Sequence, residues 1–114
     1  MTVKLHDRHC RPVARGAAPL ERGAIEALLP QIHADWRLDE DAGAIRRSFR
    51  FANFHETMAF VNALAWIAHR EDHHPDLEVG YNRCVVHYNT HAAGGLTEND
   101  FICAAHIDRL VEDD

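Results

Sequence analysis

The sequence predicts an α+β domain of two layers, in which three helices cover one face of a four-stranded antiparallel sheet in the order α-β-β-α-β-β-α. Segments of helical period alternate along the chain with pairs of short segments whose apolar residues recur at every second position. With 114 residues, 46% of them apolar, the chain is large enough for one core and predicts a single domain over 19–114.

The chain begins with an arm and a helix. Residues 1–18 show no clear period and are predicted to form an arm, either flexible or docked on the domain. Four apolar residues then follow the i, i+3, i+4, i+7 spacing of an amphipathic helix, namely Ile25, Leu28, Leu29 and Ile32. Pro30 predicts that this helix stops or kinks near Leu29, because proline does not fit a helix interior.

Two hairpins follow, with the second helix between them. Residues 36–39 and 44–51 read as strands around a turn, although Arg47 interrupts the apolar row of the second strand. Asn53 is a suitable N-cap for the helix that follows, and Pro75 predicts that this helix ends before it. Residues 77–81 and 83–90 predict the second pair of strands.

The last helix is predicted over 98–111. It begins at the sequence Thr97-Glu98-Asn99-Asp100, which is typical of a capping box. With three helices on one face of the sheet, the other face or an edge is expected to be open to water or to a partner.

Composition excludes several classes of protein. The 12 basic and 18 acidic residues give a net charge of −6, which argues against electrostatic binding to nucleic acid. The chain has neither a run of 18 apolar residues nor an apolar secretory signal, so no membrane association is expected. Three cysteines without a C-x-x-C pair do not suggest a disulfide framework and favour reduced thiols in the cytoplasm.

Ten histidines are the unusual feature of the composition. His73 and His74 lie just before Pro75, His91 follows a predicted strand, and Asp100 opens the last helix. Ends of elements are places where loops converge on one pocket, so these four residues are the candidate site.

The residue types leave three interpretations of these histidines open. His69 and His73, at i and i+4, could ligate a metal ion. Imidazoles could instead perform metal-free acid–base catalysis near neutral pH. The third interpretation is that they are exposed residues without a chemical role, like those expected on helix surfaces: His33, His55 and His106.

An ordered set of motifs resembles the pterin-4a-carbinolamine dehydratase family over about residues 20 to 112. The matching positions are Trp36, Phe51, Phe54, Phe60, His73-His74-Pro75, Tyr81-Asn82, Thr90-His91, Gly95-Leu96-Thr97 and Asp100. The resemblance implies an enzyme that dehydrates 4a-hydroxytetrahydropterin to quinonoid dihydropterin without metal or organic cofactor. It also implies a homodimer or tetramer.

Residue roles follow from the same resemblance. His73 and His91 would be the acid–base pair, and His74 would bind and orient the pterin. Asp100 has two interpretations that do not exclude each other: it caps the last helix, or its carboxylate supports a histidine and selects its tautomer.

A second resemblance leads to an alternative function. The chain has His69 and Leu77 where many family members have glutamate and tryptophan. The segment over 77–105 is similar to dehydratase-like proteins associated with α-carboxysomes, which are thought to assist Rubisco assembly. This branch implies a non-catalytic scaffold with Rubisco as its partner.

Overall fold

A computed structural model describes residues 3–112 and confirms the α+β fold class. The helices and strands are α1 Arg22–Leu28, β1 Arg37–Asp39, β2 Ala44–Arg50, α2 Phe54–Glu71, β3 Asp76–Val79, β4 Arg83–Tyr88 and α3 Glu98–Asp108. All strand pairs are antiparallel and the sheet order is β1-β2-β4-β3, so the central β2–β4 pair joins the two predicted hairpins. A single 3₁₀ turn, Leu29–Gln31, follows α1 at Pro30, where the sequence predicts a stop.

The core lies between the inner face of the sheet and the helices. Alternate residues of the two central strands are buried there and meet apolar side chains of α2 and α3, the largest being Ile45, Phe49, Val86, Tyr88, Leu64 and Phe101. The opposite face of β2 is exposed along Arg46, Ser48 and Arg50. Within residues 3–112, no helix combines the length and apolar character that a membrane crossing requires.

Arg47 belongs to the buried row of β2, although its charge appears in the sequence as a break in the row of apolar residues. Its side chain lies in that row, and its Nη1 donates to Asp108 Oδ1 of α3 at 2.6 Å. The guanidinium also lies over the Phe49 ring, 4.4 Å from the ring centroid. A counter-charge supplied by the helix above therefore allows a charged residue to occupy a core position.

The way in which α2 ends determines where His73 and His74 lie. The helix begins at Asn53, whose side chain accepts a hydrogen bond from the Glu56 backbone at 2.9 Å, and it ends at Asp72, which has a left-handed backbone with φ 51°. The chain therefore leaves the helix axis before His73. The helical i, i+4 arrangement that a His69–His73 metal pair needs is not formed.

The N-terminal arm is docked. Leu5 is buried in a short 3₁₀ turn, Leu5–Asp7, that packs against α3. Further along, the Gly16 backbone donates to Ala92 O and the Leu20 backbone to Leu96 O, both at 2.8 Å. These contacts hold the arm against the loop between β4 and α3.

Candidate active site

A cavity of about 580 Å³ lies where the end of α2, the end of β4 and the N-terminal arm meet. His73, His74 and His91 all line it, while Asp100 lies behind the cavity wall and is fully buried. The fold thus brings the four residues predicted from the sequence to one place. Their catalytic roles stay predictions.

Asp100 makes the contacts that both of its interpretations require. Its Oδ1 lies 2.6 Å from His73 Nε2, and its Oδ2 accepts hydrogen bonds from the Thr90 hydroxyl at 2.8 Å and the Thr97 backbone N–H at 2.9 Å. One oxygen therefore holds the histidine while the other caps α3. Because an ionised carboxylate only accepts hydrogen bonds, Nε2 of His73 carries a proton, and the neutral ring has its free lone pair on Nδ1.

Tyr88 fixes His73 from a second direction. The two rings stack with centroids 5.3 Å apart and planes 17° apart, and the Tyr88 hydroxyl donates to the His73 carbonyl at 3.2 Å. Burial raises the pKa of Tyr88, and the neighbouring Cys103 raises it further, so the phenol stays neutral and can donate. His73 is therefore held in one position by a carboxylate, a ring and a hydroxyl.

The other two imidazoles are accessible. His74 follows His73 directly, and His91 begins the 3₁₀ turn His91–Ala93 after β4; both are exposed at the cavity. The site thus combines one fixed and partly exposed imidazole with two imidazoles that are fully open to a ligand. Such an arrangement can accept a proton at one position of a substrate and donate one at another.

The arm forms a cavity wall that the sequence did not predict. Residues 10–13 line the cavity, and Asn99 binds the backbone of Arg11 in both directions. Its Oδ1 accepts from the Arg11 N–H at 3.0 Å, and its Nδ2 donates to the Arg11 carbonyl at 2.7 Å. Glu71 Oε1 accepts from the Cys10 N–H at 2.7 Å. The arm has no periodic pattern, so only these long-range contacts reveal its role.

Cys10 also lines the cavity but is not poised as a nucleophile. Its Sγ lies 3.5 Å from Cys103 Sγ, and this hydrogen bond, followed by burial, raises the pKa of the Cys10 thiol. The thiolate is the nucleophilic form of cysteine, so a thiol kept neutral is inert at ordinary pH.

Two aromatic positions of the family motif lie away from the cavity. Trp36 is buried in the core, and its Nε1 donates to Asp108 Oδ1 at 2.8 Å. Tyr81 lies in the turn between β3 and β4 with 65% of its surface exposed, so the strand predicted over 77–81 ends before it. Neither residue lines the cavity.

Comparisons with known proteins agree with these motifs. The family model described as pterin 4 alpha carbinolamine dehydratase matches residues 18–110. A Legionella pneumophila protein that carries this enzyme name provisionally is 57% identical over 113 residues, covering 99% of this chain and 100% of its own length. A similarly named Nitrosomonas europaea protein is 56% identical over 106 residues, covering 93% of this chain and 92% of its own.

Two solved structures share the fold. A transcriptional coactivator/pterin dehydratase from Brucella melitensis superposes with a TM-score of 0.78 at 30% identity, covering 82% of this chain and 99% of that one. A pterin dehydratase-like protein identified as a RuBisCO assembly factor in the α-carboxysome superposes with a TM-score of 0.61 at 23% identity. It covers 72% of this chain and 95% of its own. The second likeness concerns the fold alone.

Proposed function

The chain belongs to the pterin-4-alpha-carbinolamine dehydratase family, and on that premise we propose that it dehydrates 4a-hydroxytetrahydropterin to quinonoid dihydropterin by histidine acid–base catalysis. The observation that carries the proposal is the meeting of three motif histidines at one cavity, with His73 held by the buried Asp100. The cavity volume of about 580 Å³ lies within the usual range for small-molecule sites, about 300–1,000 Å³.

The reaction needs a proton donor and a proton acceptor. The hydroxyl on C4a takes a proton from the imidazolium form of His91 and leaves as water, while N5 loses its proton to Nδ1 of neutral His73. The electron pair of the N5–H bond forms the new double bond between N5 and C4a, so the step balances without an external oxidant or reductant. Asp100 keeps the proton of His73 on Nε2, and His74 orients the pterin ring.

Replacing His91 tests this proposal. We expect His91→Ala to lower turnover by about 10²–10⁴-fold, the usual contribution of one acid–base group. The melting temperature should hardly change, because the ring is exposed and its loss leaves no cavity in the core. The matched control is His55→Ala, another exposed histidine, on the first turn of α2. Stopped-flow decay of 4a-hydroxytetrahydropterin measures both variants beside the wild type.

The same assay distinguishes the enzymatic proposal from the alternative of a non-catalytic scaffold. A wild-type rate equal to that of buffer would overturn the enzymatic proposal, whatever the variants do. The alternative, a non-catalytic Rubisco assembly factor, rests on a likeness of fold at 23% identity. In that case the yield of assembled Rubisco should depend on this protein and be unaffected by His91→Ala.

A further inference from the structure

A second cluster of histidines lies outside the proposed catalytic set. His9 of the arm, Glu71 at the end of α2 and His106 of α3 each offer a ligand atom, and these atoms lie within 4.8 Å of one another. Within residues 3–112 this is the one group of at least three histidine, cysteine, aspartate or glutamate side chains close enough to hold a metal ion. We propose that His9, Glu71 and His106 bind one zinc ion.

Glu71 is arranged as a carboxylate ligand. Its side chain is only 2% exposed, and its Oε1 is occupied by the Cys10 N–H at 2.7 Å. Its Oε2 lies at hydrogen-bond distance from His9 Nδ1, 2.8 Å away. A zinc ion would take the place of the hydrogen between these two atoms.

His106 has the supporting contact that metal-bound histidines usually have. Its Nε2 lies 2.8 Å from the carbonyl of Arg8 and must donate to it, because a carbonyl only accepts. The ring is thereby set to the tautomer with its free lone pair on Nδ1. Histidines that ligate metals almost always donate their second nitrogen to such a carbonyl or carboxylate. This contact could not be predicted from the sequence, which favours an exposed His106 on a helix surface.

The donor set fits zinc. Two imidazoles and one carboxylate with a fourth, water-filled position are a common zinc arrangement. Zinc bonds of about 2.0–2.2 Å in a tetrahedron place ligand atoms roughly 3.4 Å apart, so the group closes with small rotations of its side chains. His9 is 69% exposed, which leaves the ion a path from solvent.

The neighbouring charged and thiol groups do not block the site. Arg70 Nε lies 3.8 Å from Glu71 Oε2, but its side chain is half exposed and can turn into solvent. Arg8 pairs with Glu98. The Cys10 and Cys103 thiols are hydrogen-bonded to each other and are not part of the ligand group.

Zinc at this position would fasten the cavity wall. The ion links the arm at His9 to α2 and α3, and the next residues of the arm, 10–13, line the proposed pterin cavity. Bound zinc would therefore stabilise the docked arm without taking part in the dehydration.

Titration of the chelator-treated full chain with Zn²⁺ in a calorimeter tests the proposal. We expect one zinc per chain, with the affinity lowered at least about 100-fold in His9→Ala and in His106→Ala. Circular dichroism shows whether His106→Ala disturbs folding. If it does, His9→Ala still tests zinc binding, because His9 is exposed on the arm.

Two control variants locate the zinc ion. Cys10→Ser should bind as the wild type does, because thiols are not ligands here. A His74→Ala/His91→Ala double variant should also keep its affinity, which excludes the cavity histidines. No binding by the wild type, unchanged binding by His9→Ala, or loss of binding in the double variant would each overturn the proposal. None of these readouts depends on dehydratase activity.

Discussion

Charged side chains that are buried or partly buried in this protein are stabilised by partners from distant parts of the chain. Asp108 is the clearest case: it accepts from Arg47 Nη1 at 2.6 Å, Trp36 Nε1 at 2.8 Å and the His33 backbone at 3.0 Å. Arg47 depends on fewer contacts, and its Nε has no partner. Asp108 would therefore keep hydrogen-bond donors if Arg47 were replaced, whereas Arg47 would lose its counter-charge if Asp108 were replaced.

Substitutions at this pair should have unequal effects. Asp108→Ala leaves the Arg47 guanidinium buried without a counter-charge and is expected to lower the free energy of unfolding by about 3–5 kcal/mol. Arg47→Met should cost less, because Asp108 keeps two other donors and methionine fills similar space. Urea denaturation at pH 7 measures both. Equal losses in the two variants would contradict this account.

At the scale of elements, the arm is held by side chains of the helices and not by a regular structure of its own. Between the 3₁₀ turn Leu5–Asp7 and α1 it has no helix or strand, and its backbone instead bonds to Glu71 of α2 and Asn99 of α3. Asn99 is only 8% exposed, and its amide oxygen and amide nitrogen both form hydrogen bonds with the Arg11 backbone. Two side chains, Glu71 and Asn99, therefore hold one wall of the cavity in position.

Asn99→Ala is expected to loosen that wall. Loss of two hydrogen bonds worth about 1 kcal/mol each corresponds to about 30-fold faster amide exchange in residues 10–13. The KM for the pterin should rise while kcat stays near the wild-type value, because the histidines are not moved. The matched control is Asn62→Ala, an exposed asparagine on α2. Unchanged exchange over 10–13 would show that Asn99 does not hold the arm.

At the scale of the whole molecule, several surfaces suit contact with further copies of the chain. The sheet is open, so β1 and β3 are edge strands with unpaired backbone groups. α2 also exposes 62% of Trp66 and 49% of Phe54. These exposed aromatic residues are candidate contact points, and the dimer or tetramer expected from the sequence stays a prediction.

Light scattering coupled to size exclusion tests this oligomer. We expect a mass of two or four times 12.9 kDa, and we expect Trp66→Glu to lower it, because a charge at a buried contact is costly. Tyr81→Glu, at an equally exposed ring in the β3–β4 turn, is the control. A wild-type mass of 12.9 kDa at all concentrations would contradict the expectation.

Local signals in the sequence determined the elements and the candidate catalytic residues. Asn53, Pro30 and Pro75 mark helix boundaries through interactions within a few residues, so the order of helices and strands could be predicted. The motif from His73 to Asp100 also lies within one stretch of 28 residues, counting both ends, and could be recognised from its spacing.

The tertiary structure alone decided which distant residues meet. Arg47 could be buried only because Asp108, 61 residues later, packs above it. Glu71 meets His9 across 62 residues of chain, and no local period relates them. Periodicity and capping report on neighbours within about one or two helical turns, whereas these contacts depend on how α3 and the arm pack against α2 and the sheet. That packing is the reason why the cavity wall and the group of His9, Glu71 and His106 were not predicted from the sequence.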